Sequence, residues 1–239
     1  MSDRLFALTI AGGRGERLRP LTDNRPKPMV EINGKPIISY QVDWMRAQGV
    51  TDVVFLCGYM GEMIQSYFGG GSKYGITAHY SFEDSPLGRG GALKQGLSMV
   101  PANAKNVLVA NGDVITNQLL EPIAELHENS GSMGTMMLVP YPNQYGVVES
   151  DDQDIVTQFI EKGSLPFWIN AGVYLFDRQI ESLLPDIGDH ETTTFQDLAK
   201  QGKLSAYQSK MMWTSIESPK DLSDITDQIR DGSLTLAGS

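Results

Sequence analysis

The chain predicts an α/β fold in a single domain: a mixed, mostly parallel sheet flanked by helices, with a smaller antiparallel lobe. Three observations predict it. Short apolar runs rich in β-branched residues alternate with longer helical patterns through the first half, which is how a βαβ sheet reads in sequence. One run, Asn106-Val107-Leu108-Val109-Ala110-Asn111-Gly112-Asp113, is nearly all apolar before it ends in a carboxylate, as a central parallel strand covered on both faces would be. Beyond residue 130 the runs are strand-like with few helices between them, which gives the mixed or antiparallel part.

Element by element, Leu5 to Ile10 is the first strand and ends on Ala11-Gly12-Gly13. Ile37, Tyr40, Val42 and Met45 recur at roughly helical intervals before Gly49, and Val50 to Cys57 is the second strand, closed by Gly58. Glu62 to Phe68 is a short helix, Thr77 to Phe82 a third strand, and Gly91 to Met99 a helix that stops before Pro101. Met133 to Pro140, Gly146 to Glu149, Ile155 to Glu161 and Asn170 to Phe176 supply the later strands. No internal repeat or long Pro/Gly/Ser linker divides the chain, so one two-lobed domain over residues 1–230 is expected, with 231–239 as a fraying tail.

Composition narrows the function. With 239 residues, 19 Lys+Arg against 29 Asp+Glu and a net charge of −10, the chain reads as a soluble globular protein that repels phosphate backbones and anionic lipid. Neither a nucleic-acid nor a membrane partner is expected. No apolar run approaches the 18 or so residues of a membrane span, and the N-terminus lacks a secretory pattern, so a cytoplasmic location is expected. The single cysteine, Cys57, lies inside an apolar strand, which excludes an internal disulfide and a cysteine-based metal cluster and reads as a buried thiol.

The informative segment follows the first strand: Ala11-Gly12-Gly13-Arg14-Gly15-Glu16-Arg17-Leu18-Arg19-Pro20-Leu21-Thr22, then Pro26-Lys27-Pro28-Met29. Glycines there permit positive φ and close approach of backbone N–H groups to an anion, so the turn reads as a phosphate cradle. Arg14, Arg17, Arg19, Arg25 and Lys27 place five cations in 14 residues of an acidic chain, a local reversal of sign that a phosphate ligand explains. The spacing fits neither the P-loop, because Gly34-Lys35 is followed by Pro36, nor G-x-G-x-x-G.

This string, with Gly34-Lys35-Pro36-Ile37, closely resembles the sugar-1-phosphate nucleotidylyltransferases, which make nucleotide sugars. The likeness continues in order through Pro86-Leu87-Gly88-Arg89-Gly90-Gly91-Ala92-Leu93, Asn111-Gly112-Asp113, Tyr145-Gly146-Val147-Val148, Glu161-Lys162, Asn170-Ala171-Gly172-Val173-Tyr174, and Trp213 with Pro219-Lys220-Asp221-Leu222. Within that family it looks most like the mannose- or manno-heptose-1-phosphate guanylyltransferases. The resemblance implies the Rossmann-like nucleotide-diphospho-sugar transferase fold without an appended β-helix, a nucleoside triphosphate and a sugar 1-phosphate as partners, Mg²⁺ as cofactor, and a homo-oligomer as in many relatives.

By the same resemblance Arg17, Lys27 and Lys162 are the catalytic cations: Arg17 neutralises the triphosphate and the leaving pyrophosphate, Lys27 contacts phosphate between the two substrates, and Lys162 grips the sugar phosphate. Ala11, Gly12, Gly13, Gly15, Gly88 and Gly112 match the nucleotide site, and Tyr145, Gly146, Glu161, Asn170 and Gly172 match the sugar pocket. The attacking phosphate monoester has a second pKa of about 6, so it is already anionic and needs no general base; His79, His127 and His190 are accordingly read as surface or packing residues. Asp113, a hard oxygen donor at the carboxyl end of a central strand, matches the metal aspartate.

One position departs from the family pattern. Where the family usually has Trp-x-Asp-Ile-Gly-Thr-Pro, this chain has Trp213-Thr214-Ser215-Ile216-Glu217-Ser218-Pro219, so a hydroxyl replaces a metal carboxylate. In an extended segment residues 215 and 217 share a face. Either Glu217 reaches the metal, or Asp113 and substrate phosphates suffice. Glu83-Asp84, before Pro86-Leu87-Gly88, offers a carboxylate able to accept from guanine N1–H and its amino group, so Glu83 or Asp84 is the expected base reader for GTP. The alternatives are a UTP- or dTTP-dependent enzyme for glucose or an amino sugar, and a non-catalytic nucleotide-sugar-binding regulator, which Ser215 favours.

Overall fold

The computed structural model describes residues 4–141, 143, 145–161 and 165–236. In chain order the elements are β1 (Leu5–Ile10), β2 (Glu31–Ile32), β3 (Lys35–Pro36), α1 (Ile37–Ala47), β4 (Val50–Cys57), α2 (Gly61–Phe68), β5 (Thr77–Phe82), α3 (Gly88–Leu97), β6 (Asn106–Asn111) and β7 (Val114–Thr116). There follow α4 (Glu121–Ser130), β8 (Gly134–Pro140), β9 (Val147–Ser150), β10 (Val156–Ile160), β11 (Trp168–Asp177), α5 (Thr194–Lys200), β12 (Leu204–Gln208), β13 (Trp213–Ser215) and α6 (Pro219–Arg230).

The main sheet has seven strands in the order β12-β8-β11-β6-β1-β4-β5. β1 lies between β4 and β6 in parallel register, with Ala7 opposite both Val53 and Leu108. Only β11 runs against its neighbours, pairing antiparallel with β6 and β8. The sheet is therefore mostly parallel, as the sequence predicts, and the antiparallel part takes the form of small separate sheets: β9 with β10, β7 with β13, and β2 with β3.

Alternating side chains on the central strands feed two cores. Ala7, Val53, Phe55 and Leu108 pack under α1 and α2 with Ile38, Met45, Ile64 and Phe68. Leu8, Val54, Leu56 and Val109 pack on the other face with Leu93 and Leu97 of α3 and Phe195 and Leu198 of α5. Burial on both faces is why these strands read as unbroken apolar runs. A third cluster joins Leu18, Ile32, Ile37 and Tyr40 to Ile216 and Ile225 of the C-terminal segment. Leu234 and Leu236, in the segment expected to fray, also pack there.

Most elements fall within one or two residues of the sequence reading, and two of the differences bear on the site. β6 stops at Asn111: the Gly112 amide makes the last bond of the parallel ladder, to the Ile10 carbonyl at 2.9 Å, and the chain then turns, so Asp113 lies in the turn before β7 rather than in the strand. α3 begins at Gly88, three residues before the expected start, because the loop 185–190 presses on its first turn: the Gly90 amide donates to the Gly188 carbonyl at 2.9 Å, and a Cβ on Gly91 would lie 2.4 Å from the Asp186 oxygen.

The histidines are packing groups. His127 pairs with Thr135 Oγ1 at 2.9 Å and His79 with Asp52 at 3.1 Å. His190 is fully buried, edge-on to the rings of Tyr174 and Phe195, and neither ring nitrogen has a hydrogen-bond partner among the described residues. Burial lowers its pKa from 6.5 to about 4, against the pull of Asp189 and Glu191. The unfolded chain then binds the extra proton first as pH falls, so stability is lost on acidification from 6.5 towards 4. Between pH 7 and 5 this amounts to about 2 kcal/mol. His190→Leu should flatten that slope in urea titrations at the two pH values; an unchanged slope would remove His190 as its cause.

Candidate active site

The carboxyl ends of β1, β4 and β6 open into one continuous cleft, where open α/β sheets place their ligands. Its central chamber, of about 560 Å³, is lined by the glycine turn after β1, by Arg14, Arg17 and Lys27, and by Asp113 and Glu217. Gly15 takes φ +65°, and a Cβ there would stand 2.7 Å from Lys27 Cβ. Bare backbone at that point lets the turn fold onto the lysine stem, while the Thr22 hydroxyl fastens it by donating to the Gly15 carbonyl at 2.9 Å.

Lys27 is the centre of the charge arrangement. Its Nζ lies 2.5 Å from Asp113 Oδ2 and 2.9 Å from Glu217 Oε2, and Arg17 Nη2 reaches the same Glu217 oxygen at 2.5 Å. Lys27 and Asp113 are mostly buried, whereas the Arg17 side chain is 76% exposed. Glu217 is held from three sides: Ser215 donates its hydroxyl to Oε1 at 3.0 Å, the Glu217 amide donates to Asp221, and Asp221 forms a reciprocal capping box with Ser218 at the start of α6. Of the other cations in the glycine segment, Arg14 stacks on Tyr59, while Arg19 and Arg25 pair outside the chamber with Asp23 and Glu31.

A smaller chamber of about 220 Å³ continues on the β4 side, walled by Gly12, Gly13, Glu83 and Gly88. Glu83 Oε2 accepts from the Leu87 amide at 2.9 Å, and Oε1 lies against the backbone of Gly58 and Gly12. Cys57 is buried on this wall, and burial followed by Glu62 pushes its thiol up to about 12, so it stays protonated. On the β11 side a third chamber, about 730 Å³, is lined by Asn170, Gly172, Trp213 and Ser215. Gly172 has φ +69° and sits against the Asn111 amide, and its own N–H donates to Asn170 Oδ1 at 3.0 Å.

The cleft thus gathers Ala11, Gly12, Gly13, Gly15, Arg17, Lys27, Glu83, Gly88, Asp113, Asn170, Gly172 and Glu217 of the predicted set. Gly112 lies beneath it, packed on Ile10 and Pro28. Tyr145, Gly146 and Glu161 are not brought onto its walls; they stand at the ends of the exposed β9–β10 hairpin, Tyr145 being 79% exposed. Lys162 lies outside the described residues. Sequence reasoning assigned no role to Arg89, which lines all three chambers, or to Glu191, which lines the third. No spacing signal marks Glu191, because its loop reaches the cleft only through the fold.

Residues 6–232 match a family model described as nucleotidyl transferase. The chain is 33% identical over 223 residues to a mannose-1-phosphate guanyltransferase of Candida albicans, covering 90% of this chain and 61% of that protein. It is 34% identical over 221 residues to the mannose-1-phosphate guanylyltransferase catalytic subunit beta of Drosophila pseudoobscura pseudoobscura, covering 90% and 60%. The chain spans about three fifths of the length of these curated relatives. Among solved structures it is similar to HddC from Yersinia pseudotuberculosis, with TM-score 0.75 and 26% identity over 94% of this chain and 99% of that one.

Proposed function

The chain belongs to the nucleotidyl transferase family, and from that membership we propose that it transfers a nucleoside monophosphate, from GTP, to mannose 1-phosphate or manno-heptose 1-phosphate with release of pyrophosphate. One observation carries the chemistry: Lys27 and Arg17 converge on Asp113 and Glu217 at the mouth of the parallel strands, beside a backbone-lined turn.

A phosphate oxygen of the sugar attacks the α-phosphorus in line, forming one P–O bond as the bond to pyrophosphate breaks. The nucleophile is already anionic, so catalysis rests on alignment and charge neutralisation. Lys27 Nζ sits at the point where the two carboxylates converge, so it would turn from them to the α-phosphate if a metal ion bound there, and the exposed Arg17 swings onto the leaving pyrophosphate. The carboxylates of Asp113 and Glu217 converge on a point already suited to a cation, which fits Mg²⁺, an ion that takes one or two carboxylates plus substrate phosphates. Bound there, Mg²⁺ would add neutralisation of phosphate charge. Glu217 stands beside the hydroxyl of Ser215, supplying the carboxylate that this position lacks.

On this reading Glu217→Gln should weaken Mg²⁺ binding by about tenfold in calorimetry and lower turnover with it; unchanged affinity and rate would leave Asp113 and substrate phosphates as the only ligands. The guanine preference is supported by the names of the relatives and by Glu83, whose Oε1 accepts no hydrogen bond among the described residues. Pyrophosphate release, measured across GTP, UTP, dTTP, CTP and ATP with mannose-, manno-heptose-, glucose- and N-acetylglucosamine-1-phosphate, tests the proposal. Turnover is expected with GTP and a manno-configured sugar. Silence with every pair, alongside tight binding of a nucleotide sugar, would favour a regulatory binder.

A further inference from the structure

Arg89 stands where the three chambers meet. Its Nε and Nη2 both donate to Asp189 Oδ2, at 2.8 and 2.5 Å, and Nη2 also donates to Glu191 Oε2 at 2.7 Å. The other Glu191 oxygen accepts from Asn170 Nδ2 at 3.0 Å and from the Tyr174 hydroxyl at 3.2 Å. Asp189 is itself braced, accepting from the Glu191 amide at 2.9 Å. The loop carrying both carboxylates is seated on the glycines that open α3, where added side chains would collide with it. One rigid unit therefore spans α3, the loop and β11.

The donors and acceptors can be counted. A carboxylate offers about four lone-pair sites, of which Arg89, Asn170 and Tyr174 occupy three on Glu191. A guanidinium has five N–H groups, and those on Arg89 Nη1 have no acceptor among the described residues. One acceptor and a free donor edge side by side match a pair of adjacent hydroxyls, each of which both gives and takes a hydrogen bond. The charged groups described on the third chamber are Arg89, Glu191, Glu217 and Asp221. Arg89 is the one cation among them and is already neutralised by Asp189 and Glu191, so no unpaired described cation on this wall meets a carboxylate borne by the ring, and a neutral ring suits it better.

We propose that Arg89 and Glu191 are specificity-determining residues that read two adjacent hydroxyls of an uncharged sugar ring, with Asp189 as the positioning residue that holds the guanidinium. The assignment rests on the nucleotidyl transfer proposed above and deepens it by naming what selects the sugar. A site built to hydrogen-bond a hydroxyl rejects the analogue lacking it, because its own polar groups are left unpaired.

The test crosses residue and substrate changes. Wild type, Glu191→Gln and Arg89→Lys are assayed with GTP and mannose 1-phosphate, and with its 2-, 3-, 4- and 6-deoxy forms. Wild type should lose about 10- to 100-fold in kcat/KM for two adjacent deoxy analogues, as expected for hydrogen bonds to charged groups. Glu191→Gln and Arg89→Lys should raise the sugar KM by a similar factor, erase the penalty at one or both of those positions, and leave the GTP KM within twofold. Calorimetric GTP binding by each variant reports that it is folded. Should the deoxy penalties persist unchanged in both variants, or the loss fall on the GTP KM, the hydroxyl reading is overturned while nucleotidyl transfer stands. Wild type inactive with mannose 1-phosphate and unable to bind it would overturn both.

Discussion

Lys27→Ala is expected to lower kcat/KM by about 10³-fold or more while the chain still folds. The ammonium is the only described group that touches both Asp113 and Glu217. On the proposed mechanism its removal deletes a cation that meets the transferring phosphate, and loss of one such donor typically costs 10²- to 10³-fold. It also leaves two partly buried carboxylates facing each other, which disfavours the approach of a triphosphate further. The same uncompensated charge should reduce stability by about 2 kcal/mol, below the cost for a fully buried pair because Glu217 is 37% exposed. Lys27→Arg would restore charge but not fit, since the lysine stem packs against the bare backbone of Gly15, and recovery should be partial. Rates from pyrophosphate release, with urea midpoints, check both effects. An alanine variant within a few-fold of wild type would remove Lys27 from the mechanism.

Arg17→Ala should separate activity from stability more cleanly. The side chain is 76% exposed and its partner Glu217 is held independently by Lys27 and Ser215. An exposed pair contributes at most about 1 kcal/mol, so the thermal midpoint should stay nearly unchanged. On the proposed mechanism activity should fall by about 10²- to 10³-fold, mostly in kcat, because an arginine that meets the leaving pyrophosphate acts on charge that develops during the reaction. If the midpoint drops while kcat holds, Arg17 is a structural ion-pair partner and the leaving group is neutralised elsewhere.

The parallel half of the sheet was legible because its strands are buried on both faces: Val53 and Phe55 enter one core, Val54 and Leu56 the other. α6 left a short apolar trace: Leu222, Ile225 and Ile229 recur at helical spacing and pack on the third cluster, with Ile225 alone buried, behind the Ser218–Asp221 capping box. α4 and α5 are similarly thin, with two and three buried residues. In the site, Glu217 was reachable from the two-residue period of an extended segment, and it does lie beside Ser215. Asp189 and Glu191 were not reachable, because what gives them meaning is the Arg89 guanidinium about 100 positions earlier, joined to them only once α3 and the loop have packed.

Strand order also sets an order of assembly. β1, β4, β5 and β6 are the earliest of the main-sheet strands to be made and lie side by side, whereas β8, β11 and β12 all add beyond β6 on one edge. A chain leaving the ribosome N-terminus first can therefore complete its four-stranded parallel half, glycine turn included, before any later strand exists. β6 and β5 are the two edges of that half, and on the β6 side a row of unpaired backbone groups is left for β11 to pair with. The antiparallel arrival of β11 is thus the step that both covers the β6 edge and brings Asn170 and Gly172 to the cleft.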